Sequence, residues 1–116
     1  MLQSFIASRG RIALNLQIVP MGRDIQILIT GGSAHIGAVA VASGSSPQTA
    51  VHEISQHREG ELAQKIACRL ARALHVTVGV SAGIHFNDIT REEIVAVLEL
   101  ADSLAQDALQ FLLSRQ

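Results

Sequence analysis

Ile12, Leu14, Leu16 and Ile18 alternate with Arg11, Asn15 and Gln17, the two-residue period of a strand with one face buried. Residues 23–30 repeat the pattern with Ile25, Ile27 and Ile29 inward, and Pro20-Met21-Gly22 between the two runs is turn chemistry. An antiparallel hairpin is therefore expected. The shorter run 2–8, closed by Arg9-Gly10, predicts an edge strand. Residues 36–43 are continuously small and apolar, which periodicity alone does not assign, but Gly37, Val39 and Val41 favour a buried strand. Residues 44–48 read as a loop, and 49–55 as a short, weakly alternating strand.

From Gly60 the period changes to that of a helix. Leu62, Ile66, Leu70 and Leu74 recur every four residues with Ala63, Ala67, Ala71 and Ala73 between them, and Glu59 and Glu61 stand where a helix N-terminus favours negative charge. Val76, Val78 and Val80 then alternate as a strand, with 82–88 as the connection that follows. Thr90 with Glu93 three residues on predicts a capping box. Behind it, a stripe from Ile94 through Val97, Leu98, Ala101, Leu104, Ala105 and Ala108 to Phe111 and Leu112 predicts a long helix. The expected architecture is one α+β domain over 1–116, an antiparallel or mixed sheet of four to six strands with both helices on one face.

A chain of 116 residues is long enough to bury a core without metals or disulfides. No apolar run approaches the roughly 18–20 residues of a membrane-crossing helix, and residues 1–8 lack the pattern of an export signal. With one cysteine, Cys68, expected as a buried inert thiol, these features point to the cytoplasm and not to a membrane. A net charge of −1, no dense basic cluster, no Trp or Tyr and only three Phe argue against a nucleic-acid partner. The hydrophobic share of 48%, rich in small residues, is expected in part to cover a homo-oligomer interface.

Three histidine-bearing segments depart from core patterning: Gly31-Gly32-Ser33-Ala34-His35-Ile36-Gly37, His57-Arg58-Glu59-Gly60-Glu61, and Gly83-Ile84-His85-Phe86-Asn87-Asp88. If 23–30 runs upward, 36–43 returns downward, 49–55 climbs, and the first helix descends about 22 Å, a length matched to six to eight strand residues. The strand 76–81 climbs again, so all three segments are expected at one end of the sheet. Gly31-Gly32 could turn backbone amides toward an anion, or could simply join two strands tightly. His35, His57 and His85 could form a metal site with Glu59, Glu61 or Asp88, or act singly as loop histidines. Arg58 adjoins His57 and is suited to a phosphate. His75 reads as the C-terminal cap of the first helix. No nucleophile signature accompanies Ser33, Ser81 or Cys68.

The run Gly31 to Ala40, taken with Glu59-Gly60-Glu61-Leu62-Ala63 and Gly83-Ile84-His85-Phe86-Asn87-Asp88-Ile89, resembles the prenylated-flavin chaperone family, small D subunits associated with gallate and related hydroxyarylic-acid decarboxylases. The similarity spans about residues 10–112. It implies a non-catalytic accessory protein that binds prenylated FMN, or FMN, and assists its maturation or delivery to a partner decarboxylase. By this resemblance Gly31, Gly32, His35, His57, Glu61 and His85 would lie at the cofactor, and Arg58, beside His57, and Asp88, after His85, are expected there with them. Family members carry Asp soon after the last histidine, whereas here Phe86 and Asn87 precede Asp88, which leaves the polar role open between Asn87 and Asp88. The alternatives are a metal-dependent or histidine acid–base enzyme, and a purely structural oligomeric subunit.

Overall fold

A computed structural model describes residues 2–46, 49–54 and 59–116. In chain order the elements are β1 (Gln3–Arg9), β2 (Ile12–Met21), β3 (Asp24–Gly32), β4 (Ala38–Ser43), β5 (Thr49–Glu53), α1 (Glu59–Leu74), β6 (Thr77–His85) and α2 (Arg91–Leu113). The six strands form one mixed sheet in the order β1-β2-β3-β6-β4-β5, an α+β fold as the sequence pattern implies. All neighbouring pairs are antiparallel except β3 with β6.

Strand alternation sorts the side chains onto two faces. Ile12, Leu14, Leu16 and Ile18 of β2, Ile25, Ile27 and Ile29 of β3, Val78, Val80 and Ala82 of β6, and Ala38, Ala40 and Ala42 of β4 are buried on the helix-bearing face. There α1 packs on β4, β5 and β6 and α2 on β1 and β2. The alanines of β4 meet Ala63, Ala67 and Ala71 of α1 in the same core, where small side chains allow close approach. Phe5 of β1 closes the far edge, its ring edge-on to Phe111 of α2 at 5.8 Å between centroids. Arg69 of α1 bonds Asp102 of α2 at 2.9 Å and also Gln106, tying the two helices together.

Several details differ from the sequence pattern. The β2–β3 turn is Gly22-Arg23, with Met21 still paired to Asp24, because Gly22 takes φ 64° and lets a two-residue turn close the hairpin. Strand β6 continues through 82–85, because β3 runs beside it in parallel as far as Gly32 and supplies pairing partners. The buried stripe of α2 takes in Ala96 and Leu100, while Ile94 and Leu98 stay exposed. Cys68 is half-buried, its Sγ 3.0 Å from Thr49 Oγ1. No described helix is long and apolar enough to cross a membrane.

The capping box is formed: Thr90 Oγ1 accepts from the Glu93 amide at 3.1 Å, and Glu93 Oε1 accepts from the Thr90 amide at 3.0 Å. Arg11, in the β1–β2 turn, adds two bonds to the same carboxylate, Nε to Oε2 at 2.8 Å and Nη2 to Oε1 at 2.9 Å. The Arg11 bonds, reinforced by the Thr90 amide, hold the Glu93 carboxyl at about 2, below its ordinary 4.5. A depressed carboxyl stabilises the fold fully above its unfolded pKa and loses that contribution as pH falls through the folded one. Urea midpoints of the wild type are therefore expected to fall between about pH 4.5 and about 2 more steeply than those of Arg11→Met. Parallel profiles would show that the pair does not contribute.

Candidate functional site

The order of the strands creates the site. β6 lies between β3 and β4, so the connection 33–37 from β3 to β4 must arch over the C-terminal end of β6. Two backbone bonds pin it there, Ser33 N–H to His85 O at 2.9 Å and Gly37 N–H to Ala82 O at 2.8 Å. Beneath the arch, Gly83 leaves room for the His35 carbonyl, which would overlap any Cβ at that position. Gly32, at φ 65°, likewise lies against the His85 carbonyl where a Cβ would stand. These glycines serve close backbone approach, and the amides of Ser33 and Gly37 are spent on β6.

The arch holds His35 over the N-terminus of α1. Its Nδ1 is 3.0 Å from Ser33 O and its Nε2 3.4 Å from Glu59 Oε2. Both ring nitrogens face oxygen atoms, the Ser33 carbonyl on one side and the Glu59 carboxylate on the other. Glu59 is only 8% exposed. The same Oε2 accepts the Ile84 amide at 3.1 Å, and a Cβ on Gly37 would collide with this carboxylate. Glu53, at the end of β5, accepts the Gly60 amide at 2.8 Å and so satisfies one of the first amides of α1. A buried carboxylate, a histidine and the ends of β3, β6 and α1 thus meet at one point.

His85 is exposed on the rim, its Nε2 3.1 Å from Asn87 Oδ1. Asn87 is thus the residue that meets this histidine. Asp88 adopts φ 52° and adds its field to the Arg11 guanidinium, which also donates to the Asn87 carbonyl at 2.7 Å. Phe86 is half-buried, with Arg11 6.0 Å above its ring. Glu61 is exposed and lines a groove between α1 and α2 with Lys65 and Arg69. Glu59, two residues earlier, is the acid that reaches His35. His57 and Arg58 lie outside the described residues. Among the described residues no three His, Cys, Asp or Glu side chains are arranged to hold a metal ion.

The ends of β3, β5 and β6 and the start of α1 lie together, as the up-and-down path of the chain implies. The family described as prenylated flavin chaperone LpdD-like domain matches residues 8–113. The chain belongs to this family. The match takes in the arch, the start of α1 and the end of β6, the three segments on which the resemblance rested. Within the prenylated flavin chaperones, Protein LpdD of Lactiplantibacillus plantarum is 32% identical over 102 residues, covering 84% of this chain and 74% of that protein. Among solved structures, a chaperone complex for yeast 20S proteasome assembly superposes with a TM-score of 0.60 at 9% identity, over 97% of this chain and 96% of that one. At that identity the likeness concerns the fold alone.

Proposed function

We propose that this flavin chaperone binds prenylated FMN at the end of the sheet marked by His35, Glu59 and His85, and passes it to a partner decarboxylase without itself turning over substrate. The observation that carries the reading is the His35–Glu59 pair, a nearly buried carboxylate fixed by the Ile84 amide and directed at a half-exposed imidazole. A pair whose geometry is set before the ligand arrives lowers the ordering cost of holding that ligand in one orientation.

The donor set fits a phosphorylated flavin. The His85 ring and the Ser33 hydroxyl can bond phosphate or ring heteroatoms, and the His35 imidazole, oriented by Ser33 O and Glu59, presents its exposed edge to the ligand beside them. Arg11 is committed to Glu93, and the groups beside the arch proposed to meet phosphate charge are His35 and His85. What the cofactor supplies is the decarboxylation chemistry of the enzyme that receives it. The chaperone's own residues bind it, orient it and shield one side from water.

Anaerobic titration of the full chain with FMN and with reduced prenylated FMN, followed by absorbance and calorimetry, tests this. Saturable, metal-independent binding of the prenylated form is expected. Absence of flavin binding together with stoichiometric metal in the purified protein would overturn the reading in favour of metal chemistry.

A further inference from the structure

The two helices leave a gap at the end of the sheet opposite the arch. α1 is seated on β4, β5 and β6 and α2 on β1 and β2, so β3 runs beneath the space between them. Along β3 the cover thins toward its start: Ile29 and Ile27 are fully buried, whereas Ile25 is 8% exposed. A cavity of about 330 Å³ opens there, between the β2–β3 hairpin and the last turns of both helices. Its walls are apolar, with Ile18 and Ile25 from the sheet, Leu74 from α1, and Phe111 and Leu112 from α2. Arg23 of the hairpin turn and Arg115 just beyond α2 line it as well, both exposed to solvent. No acidic side chain does. Three other arginines are answered by carboxylates, Arg9 by Glu99, Arg11 by Glu93 and Arg69 by Asp102. Arg23 and Arg115 have no such partner among the described residues. The Arg115 guanidinium lies 5.2 Å over the Phe111 ring, against the apolar wall. The last carbonyls of α2 do not engage it, since those of Gln110, Leu112 and Leu113 accept the amides of Ser114, Arg115 and Gln116.

We propose that this cavity binds a small carboxylic acid with an apolar body, its apolar part against Ile25, Leu74 and Phe111 and its carboxylate between the two guanidiniums. An apolar pocket of this volume with a few polar groups around it is the form that small-molecule sites take. The planar fork of a guanidinium matches the two oxygens of a carboxylate. Charge fixes the class of ligand. A cation would meet two like charges, a neutral apolar molecule would leave both guanidiniums without a bond, and a bare inorganic anion would leave the apolar walls uncovered. The macrodipole of α2 opposes an anion at this end of the helix, so binding depends on both arginines.

Titration of the flavin-free, isotope-labelled full chain with benzoate and with octanoate, followed by amide chemical shifts, tests this. Saturable shifts are expected at Gly22, Arg23, Leu74, Val76, Phe111 and Leu112, with a Kd below about 1 mM for at least one of the acids. Benzamide and octanamide, which keep the shape and lose the charge, should bind at least about 10-fold more weakly, and Arg23→Gln and Arg115→Gln should each weaken binding of the acid by about the same factor. Arg91→Gln, at the far end of α2, should leave it unchanged. All three are exposed side chains, and amide spectra unaltered away from the substituted residue would show that the fold is kept. The proposal is overturned if neither acid saturates these shifts with a Kd below about 1 mM, if the uncharged analogues bind as tightly, or if the Arg23→Gln/Arg115→Gln double variant binds like the wild type. Shifts confined to Gly32, His35 and His85 would also overturn it, by placing the acid at the arch. No flavin is present, so the result is independent of the cofactor reading.

Discussion

Gly83→Ala is expected to lower the melting temperature by about 10–15 °C, the consequence of a loss near 3 kcal/mol in a domain of this size. The added methyl would occupy the space now filled by the His35 carbonyl, and the obstructing atom is backbone. A flexible side chain could turn aside, but the arch is tied to β6 through Ser33 and Gly37 and would have to lift as a unit. Lifting it breaks both of those bonds and separates His35 from Glu59. The variant should therefore lose cofactor binding as well as stability. Thermal unfolding followed by circular dichroism reads the first effect, and a shift of less than about 3 °C, or under roughly 1 kcal/mol, would show that the arch yields cheaply.

His35→Ala is expected to weaken binding of prenylated FMN by about 10- to 100-fold, the range for losing one hydrogen bond to a charged group, while moving the melting temperature by only a few degrees. The ring is 30% exposed, so its removal opens little cavity in the core. Glu59→Ala should behave differently. It removes the acceptor of the Ile84 amide and leaves that buried group unsatisfied, at about 1–3 kcal/mol. Glu59→Gln keeps an acceptor oxygen for Ile84 and should recover most of that stability while still binding the cofactor poorly. Calorimetric titration of the three variants separates the roles. Unchanged affinity in His35→Ala with a large fall in melting temperature would make His35 a structural residue.

Much of this was legible in the chain. The alternation of β2 and β3, the four-residue period of α1 and the Thr90–Glu93 box are local patterns, each set by the geometry of its own element. The resemblance carried by the arch, the α1 start and the β6 end was legible for a related reason, since each is a short contiguous run. The less regular features were harder to read. Pairing with β3 extends β6 through 82–85, and the packing of α2 on β1 and β2 buries Leu100 and leaves Leu98 exposed.

What the sequence by itself determined is which residues of β2, β3 and β6 face the core and which way each strand runs, because alternation and chain reversal act over a few residues. Which strands become neighbours was decided only in three dimensions. Placing β6 between β3 and β4 rests on contacts between segments some fifty residues apart, such as Gln26 with Gly79, which no local period encodes. That placement forces 33–37 over the end of β6, makes Gly83 a steric necessity and turns His35 onto Glu59 in preference to Glu61. Strand order depends on which apolar faces and backbone edges fit together once the whole sheet forms, and so the pairing of a histidine with its carboxylate appears only in the tertiary structure.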